Sequence, residues 1–258
     1  MTNEFLPTAP QQARTHVLRL PVAVLAALSA AAAPLALPAP AAQAAVPAPS
    51  VATATTSGHV LTLAVPVSVS PPTLRYGSTG AAVVTLQTSL KALHYDVGSV
   101  DGVFGYSTLH GLYAFQKVQR IGVDGVVGPI TWAKLASPYR PKPRHTLTAA
   151  AVEVNLSLRV VYMTKGGQVT RILDASPGKP STPTVTGSFR IYRRINAWHR
   201  SPLGLLYRPN FFYGGYALHG SSSVPTYAAS HGCVRVTVPA MDRLWSQLSI
   251  GERFYVYR

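Results

Sequence analysis

Ser230-His231-Gly232-Cys233-Val234-Arg235, preceded at a short distance by Leu218-His219-Gly220, is the stretch on which the reading of this 258-residue chain turns. Cys233 is the chain's one cysteine, so it cannot staple the fold through an intramolecular disulfide. Two readings remain for it, a small buried core residue or a nucleophile. A thiol with an ordinary pKa of about 8.5 is only slightly ionised at neutral pH, so a nucleophilic role needs a base or a cation beside it. Two histidines supply candidates. An extended run from Ser230 to Arg235 alternates its side chains and puts His231, Cys233 and Arg235 on one side of a strand. His219 then reaches the thiol from the preceding strand, across the loop 221–229, and ionises it. Gly232, lacking a Cβ, leaves room for a carbonyl to approach the backbone beside Cys233, where N–H groups can hold an oxyanion.

Outward from that run the pattern reads as β. Residues 152–163 alternate, Lys165-Gly166-Gly167 makes a hairpin and residues 169–175 return. Residues 189–195, 216–219, 233–236 and 254–257 supply further strands. One helix falls at about 239–248, capped by Thr237 or Val238, with Pro239 tolerated in its first turn and Gly251 just past its end. Tyr192, Trp198, Tyr207, Phe211, Phe212, Tyr213 and Tyr216 crowd one segment. They fit a substrate cleft or lid, and they also fit a sandwich core.

Upstream the texture is helical. Val83, Val84, Leu86, Leu90 and Leu93 recur at helical spacing, Leu109, Leu112, Tyr113, Phe115 and Gln116 begin a second segment, and Trp132, Ala133 and Leu135 mark a shorter third. Between them lies an internal repeat. Asp101-Gly102-Val103-Phe104-Gly105-Tyr106-Ser107-Thr108 and Asp124-Gly125-Val126-Val127-Gly128-Pro129-Ile130-Thr131 share Asp, Gly, Val, Gly and Thr at identical offsets. Each copy reads as a tight turn that launches a helix, with the Thr as its cap. A calcium loop is a rival for the aspartates, but each copy offers one carboxylate where such a loop needs several. Residues 138–143, rich in Pro and basic side chains, read as a stiff hinge within 138–150.

Residues 1–44 read as an export leader: Arg14 and Arg19 form a basic start, 20–37 is apolar, and Ala42-Gln43-Ala44 offers a small-residue cleavage site. An uncleaved anchor is the alternative, interrupted by Pro34 and without a basic stop-transfer flank. The Ala/Pro-rich residues 45–72 read as a linker, with a short strand possible at 59–69. Without the leader, 21 Lys and Arg face 7 Asp and Glu, net +14, and residues 140–258 hold +12 of it. A surface so charged concentrates polyanions. In an exported protein the first polyanions met are the carboxylates and anionic polymers of a cell wall rather than nucleic acid, plain solubility is the alternative reading of the charge, and no membrane contact is expected after cleavage.

Leu218-His219-Gly220 followed by Ser230-His231-Gly232-Cys233-Val234-Arg235 resembles the signature of the YkuD-type L,D-transpeptidases, enzymes that cross-link peptidoglycan. Thr184-Val185-Thr186-Gly187-Ser188-Phe189 is similar to that family's Thr-Pro-x-Gly-x-Phe stretch, with Val185 in place of proline. The repeat, with Leu86-Gln87 and Phe115-Gln116, resembles the small helical peptidoglycan-binding domain. The two resemblances imply a multidomain α + β chain: a three-helix peptidoglycan-binding domain at 73–137, then an all-β sandwich catalytic domain with one short helix at 151–258. They also imply that Cys233 attacks the third-residue carbonyl of a tetrapeptide stem, releasing D-alanine, and that an amine of a neighbouring stem resolves the thioester. His219 serves as base and the Gly220 carbonyl orients it; Arg235, His231, Ser230 and Gly232 are the expected substrate contacts, and no cofactor or metal is needed. Arg235 either holds a stem carboxylate or braces the loop. Water as acceptor gives an L,D-carboxypeptidase instead, and an inert wall-binding protein or cationic adhesin is the non-catalytic alternative.

Rival chemistries are poorly equipped. A glycosidase needs two carboxylates flanking one bond, and the second half holds only Glu153 and Asp174, on strands far in sequence from the His-Cys cluster, Asp242 in the expected helix and Glu252 beyond it. His219, His231 and Cys233 have no familiar zinc-peptidase spacing. In papain-like peptidases the Cys precedes the His, the reverse of the order here. The helical domain is expected to be removable, its loss weakening peptidoglycan binding while leaving acylation intact.

Overall fold

Three helices open the computed structural model, which describes residues 71–258: α1 (Ala81–Ala92), α2 (Tyr106–Gln119) and α3 (Pro129–Ala136). The expected leader, the linker up to residue 70 and the strand read at 59–69 lie outside the described residues. The repeat explains the first two turns. Gln87 on α1 donates Nε2 to Asp101 Oδ1 (2.8 Å) and accepts the Gly102 N–H (2.9 Å). Gln116 on α2 does the same for Asp124 (2.8 Å) and the Gly125 N–H (3.1 Å). Each Asp also accepts the N–H two residues on, from Val103 and Val126. The carboxylates are therefore committed to their own Asx turns. The repeated threonines do not cap. Glycines hold both N-cap positions without a side-chain bond, and Thr108 and Thr131 sit inside the helices, tied back to the Val103 and Val126 carbonyls.

Ten strands come next, in two sheets. The first runs β3-β2-β1-β10-β4, using β1 (Ala151–Asn155), β2 (Val160–Lys165), β3 (Gln168–Asp174), β4 (Gly187–Arg190) and β10 (Arg253–Tyr257). The second runs β5-β7-β8-β9 with β6 on β7, using β5 (Arg193–Arg194), β6 (Trp198–Ser201), β7 (Gly204–Tyr213), β8 (Tyr216–Ser221) and β9 (Val234–Thr237). Helix α4 (Val238–Trp245) leaves β9 directly, and the Thr237 hydroxyl accepts the Ala240 N–H at its start. This is the expected sandwich with one helix. Two expected strands are broken, however. The run 152–163 is a hairpin, turned where Asn155 Oδ1 accepts the Leu158 N–H and Arg159 takes φ 55°. The run 189–195 changes sheets, and the aromatic segment 198–213 is itself the β6–β7 hairpin.

One hydrophobic cluster joins the helices to the first sheet: Leu86, Leu90, Leu112 and Phe115 pack with Val160, Tyr162, Val169 and Ile172. Burying each such side chain contributes about 1.5–3 kcal/mol. Polar contacts reinforce the junction. Ile172 exchanges backbone hydrogen bonds with His94 and Asp96, and Arg243 of α4 grips the Asp96 carboxylate at 2.9 and 2.7 Å. Segment 138–150 is pinned on both sides, Tyr139 to Gln119 and the Arg144 and His145 N–H groups to the fully buried Glu153. The helices thus share a core with the first sheet, which bears directly on the expectation that acylation survives their loss.

Candidate active site

β8 and β9 run parallel, with Leu218 opposite Val234 and His219 opposite Arg235. Partners in register share a face, and successive residues alternate. Leu218, Val234 and Val236 turn into the core between the sheets. His219, Cys233 and Arg235 line a cavity of about 630 Å³ on the other side, which Arg200, Leu203 and Phe211 of the β6–β7 hairpin also line. The lining contains Arg193, Arg200, Arg235, His199, His219 and His231, and no Asp or Glu. Such a pocket favours an anionic ligand.

His219 is 2% exposed, and its Nδ1 lies 2.8 Å from the Gly220 carbonyl oxygen. A carbonyl only accepts, so Nδ1 carries the proton and Nε2 keeps a free lone pair. Burial brings the imidazole pKa down to about 4, opposed by the Gly220 bond and assisted by the Arg235 charge. No side chain fits at Gly220: a Cβ would lie 2.9 Å from the Tyr207 ring and 3.1 Å from Met241. The orienting carbonyl thus sits in a tightly packed position.

Cys233 is partly exposed, packed against Leu206, Phe211 and Ala217, with Sγ 3.7 Å from the Gly215 carbonyl. Burial pushes its pKa up, against a backbone hydrogen bond from Ala217 and the Arg235 charge. With the thiol raised and the imidazole lowered, both are neutral at neutral pH. The expectation of a resting thiolate is corrected by burial, which disfavours each charged form.

The residues around the thiol differ in what they offer. Strand β9 begins only at Val234, because Gly232 adopts φ 115° and the run from Ser230 bends rather than extends. His231 is exposed on that bend, its Nε2 3.4 Å from Lys179 Nζ. The space left by the missing Gly232 side chain is filled by the Tyr216 ring and not by an approaching carbonyl. The Gly232 N–H is engaged by Ser230 Oγ at 3.0 Å, and that hydroxyl donates to the Cys233 carbonyl. Ser230 is 1% exposed. Ser230 Oγ and the Gly232 N–H are thus engaged within the turn, which they shape. Arg235 makes no side-chain hydrogen bond or ion pair among the described residues, so its guanidinium remains available in the cavity.

The sequence reading missed the segment beyond β3. Ser176 pairs with Arg235, and the Pro177 carbonyl accepts the Ser230 N–H. A turn signal, Ser176-Pro177-Gly178-Lys179, marked it in the sequence. Thr184 also finds its purpose, its hydroxyl accepting the Gly178 N–H at 2.9 Å.

Comparison with known proteins adds to this geometry. A family model described as the L,D-transpeptidase catalytic domain matches residues 149–256, and one described as a putative peptidoglycan binding domain matches residues 79–135. The crystal structure of an L,D-transpeptidase from Xylanimonas cellulosilytica is 41% identical with a TM-score of 0.70, covering 72% of this chain and 98% of that one. An uncharacterised protein of Kitasatospora aureofaciens is 45% identical over 69 residues, 26% of this chain and 58% of that protein. A probable N-acetylmuramoyl-L-alanine amidase of Bacillus licheniformis is 41% identical over 64 residues, 22% of this chain and 18% of the amidase. The chain thus spans less than two thirds of these curated relatives.

Proposed function

The chain belongs to the L,D-transpeptidase family, and from that premise we propose that it is an exported wall enzyme in which Cys233 is the nucleophile and His219 the base. The observation that carries this reading is the Nδ1–H···O=C bond from His219 to Gly220, which leaves Nε2 basic in the cavity that the thiol also lines. A carboxylate third member is unnecessary, because the carbonyl fixes the same tautomer.

The reaction begins from a neutral pair. Sγ attacks the carbonyl that joins the third stem residue to the terminal D-alanine, and the thiol proton passes to His219 Nε2. Collapse of the tetrahedral adduct breaks the C–N bond, and His219 returns the proton to the departing amine of D-alanine. An amine of a second stem then attacks the thioester, His219 accepts its proton, and the thiol is restored. Proton transfer of this kind is worth about 10²–10⁴-fold in rate. Arg235, Arg200 and Arg193 favour the stem's carboxylates, with Arg235 nearest the chemistry by its place opposite His219. The three helices bind the wall, and the cationic second half adds attraction to its anionic polymers. Export is carried by residues 1–44; among the described residues no helix is long and apolar enough to cross a membrane.

The test is product analysis with a defined tetrapeptide stem, with and without an acceptor amine. Release of D-alanine with a cross-linked product supports transpeptidation. Release with tripeptide alone in both arms makes water the acceptor, and no release overturns the reading.

A further inference from the structure

Asp174, at the end of β3, is 4% exposed, and both its oxygens are held from α2: Lys117 Nζ lies 2.5 Å from Oδ1 and His110 Nδ1 2.6 Å from Oδ2. Lys117 is itself buried, and it donates as well to the Ala175 carbonyl at 3.1 Å and the Arg159 carbonyl at 3.2 Å. Burial lowers its pKa while Asp174 opposes that. The proposed reaction makes no use of this ammonium. The strand that continues past Asp174 gives it a use. Ser176 exchanges both backbone hydrogen bonds with Arg235 at 3.0 Å, the Pro177 carbonyl accepts the Ala229 and Ser230 N–H groups, and the Lys179 N–H donates to Ser230. The Ser176 hydroxyl donates to Tyr227 at 2.7 Å, and Arg159 Nε donates to Thr226 at 2.9 Å. Residues 174–179 are thus the rail along which the turn carrying Cys233 is laid, and Lys117 clamps the start of that rail.

We infer that Lys117 is a positioning residue for Cys233: the helical half of the chain fixes the nucleophile turn through Lys117, Asp174 and the segment 175–179. The inference rests on Cys233 being the nucleophile. It gives the three helices a share in the acyl transfer in addition to holding the wall.

The test uses the full chain with Lys117→Met, which keeps an unbranched stem of similar reach and donates nothing. The limiting rate of Cys233 acylation by a carbapenem falls roughly ten- to hundredfold, the cost of a small misplacement of a reacting group, with the half-saturating concentration unchanged. Amide hydrogen exchange speeds up at residues 174–179 and 230–235 and stays as in wild type in β10. The double variant Lys117→Met with Asp174→Asn removes both members of the Lys117–Asp174 ion pair together, so it keeps a cooperative fold while showing the same two defects. An unchanged limiting rate in a folded variant, or faster exchange spread evenly over the chain, overturns the inference. A wild-type chain that is not acylated at Cys233 sinks the functional reading instead, and the local exchange pattern still decides whether Lys117 holds the turn.

Discussion

Lowering the pH on the native chain probes the neutral thiol–imidazole pair directly. An ordinary imidazole of pKa 6.5 is only about 3% neutral at pH 5, whereas one at about 4, as for His219, is about 90% neutral, a difference of roughly thirtyfold in available base. The alkylation rate of Cys233 by iodoacetamide, a probe without titrating groups, should therefore hold a plateau from about pH 5 up to the raised range of the thiol. Below pH 5 it should fall with a midpoint near 4. Because Cys233 is the chain's one cysteine, intact mass reads the site without ambiguity. In His219→Gln the plateau disappears, and the rate climbs tenfold per pH unit as thiolate alone reacts, at least about a hundredfold below wild type at pH 6. The same shift has a stability side. The unfolded imidazole protonates below about 6.5 and the folded one only near 4, so stability is lost as pH falls between them, by about 3 kcal/mol in all. A wild-type rate midpoint between 6 and 7, or a wild-type rate rising tenfold per unit across pH 5–8, refutes the neutral pair.

Three other outcomes are expected from the geometry. Arg235→Met removes a positive charge that lowers both groups, so the acid midpoint of alkylation and the thiol's own titration should both move upward; an unmoved pair of midpoints contradicts the assigned field. Gly232→Ala puts a methyl into the Tyr216 ring at φ 115°, and urea unfolding should show a loss of about 2–4 kcal/mol. Deleting residues 71–137 strips the partners of Ile172 and Asp174, so the remaining half should bind a hydrophobic dye and lack a cooperative melt, where an independent domain would melt sharply.

Much of the site was legible because it is short-range. A His-Gly pair and a Ser-His-Gly-Cys-Val-Arg run bring an imidazole and a thiol to one cavity once β8 pairs with β9, and the Gln–Asp–Gly repeat carries its turn chemistry in its own residues. What the sequence withheld is set at long range. The partners of Asp174 stand 57 and 64 residues away, so nothing around it separates a clamp from an exposed strand acid. Helical periodicity in 81–92 and 106–119 reveals an apolar face but not that β2 and β3 cover part of it. Aromatic density at 198–213 concealed a hairpin, since Trp, Tyr and Phe suit a strand and a cleft wall alike. The protonation of the pair depends on burial, a property of the packed fold, and so the resting thiolate expected from adjacency alone gave way to two neutral groups.

Incubating the full chain with a carbapenem and recording its intact mass tests the central claim most directly, because a strained acyl donor stops the reaction at the thioester. A gain of one carbapenem mass on wild type, absent from Cys233→Ala and slowed in His219→Gln, is the predicted result. A wild-type chain that stays unmodified, or an equal gain on Cys233→Ala, contradicts it.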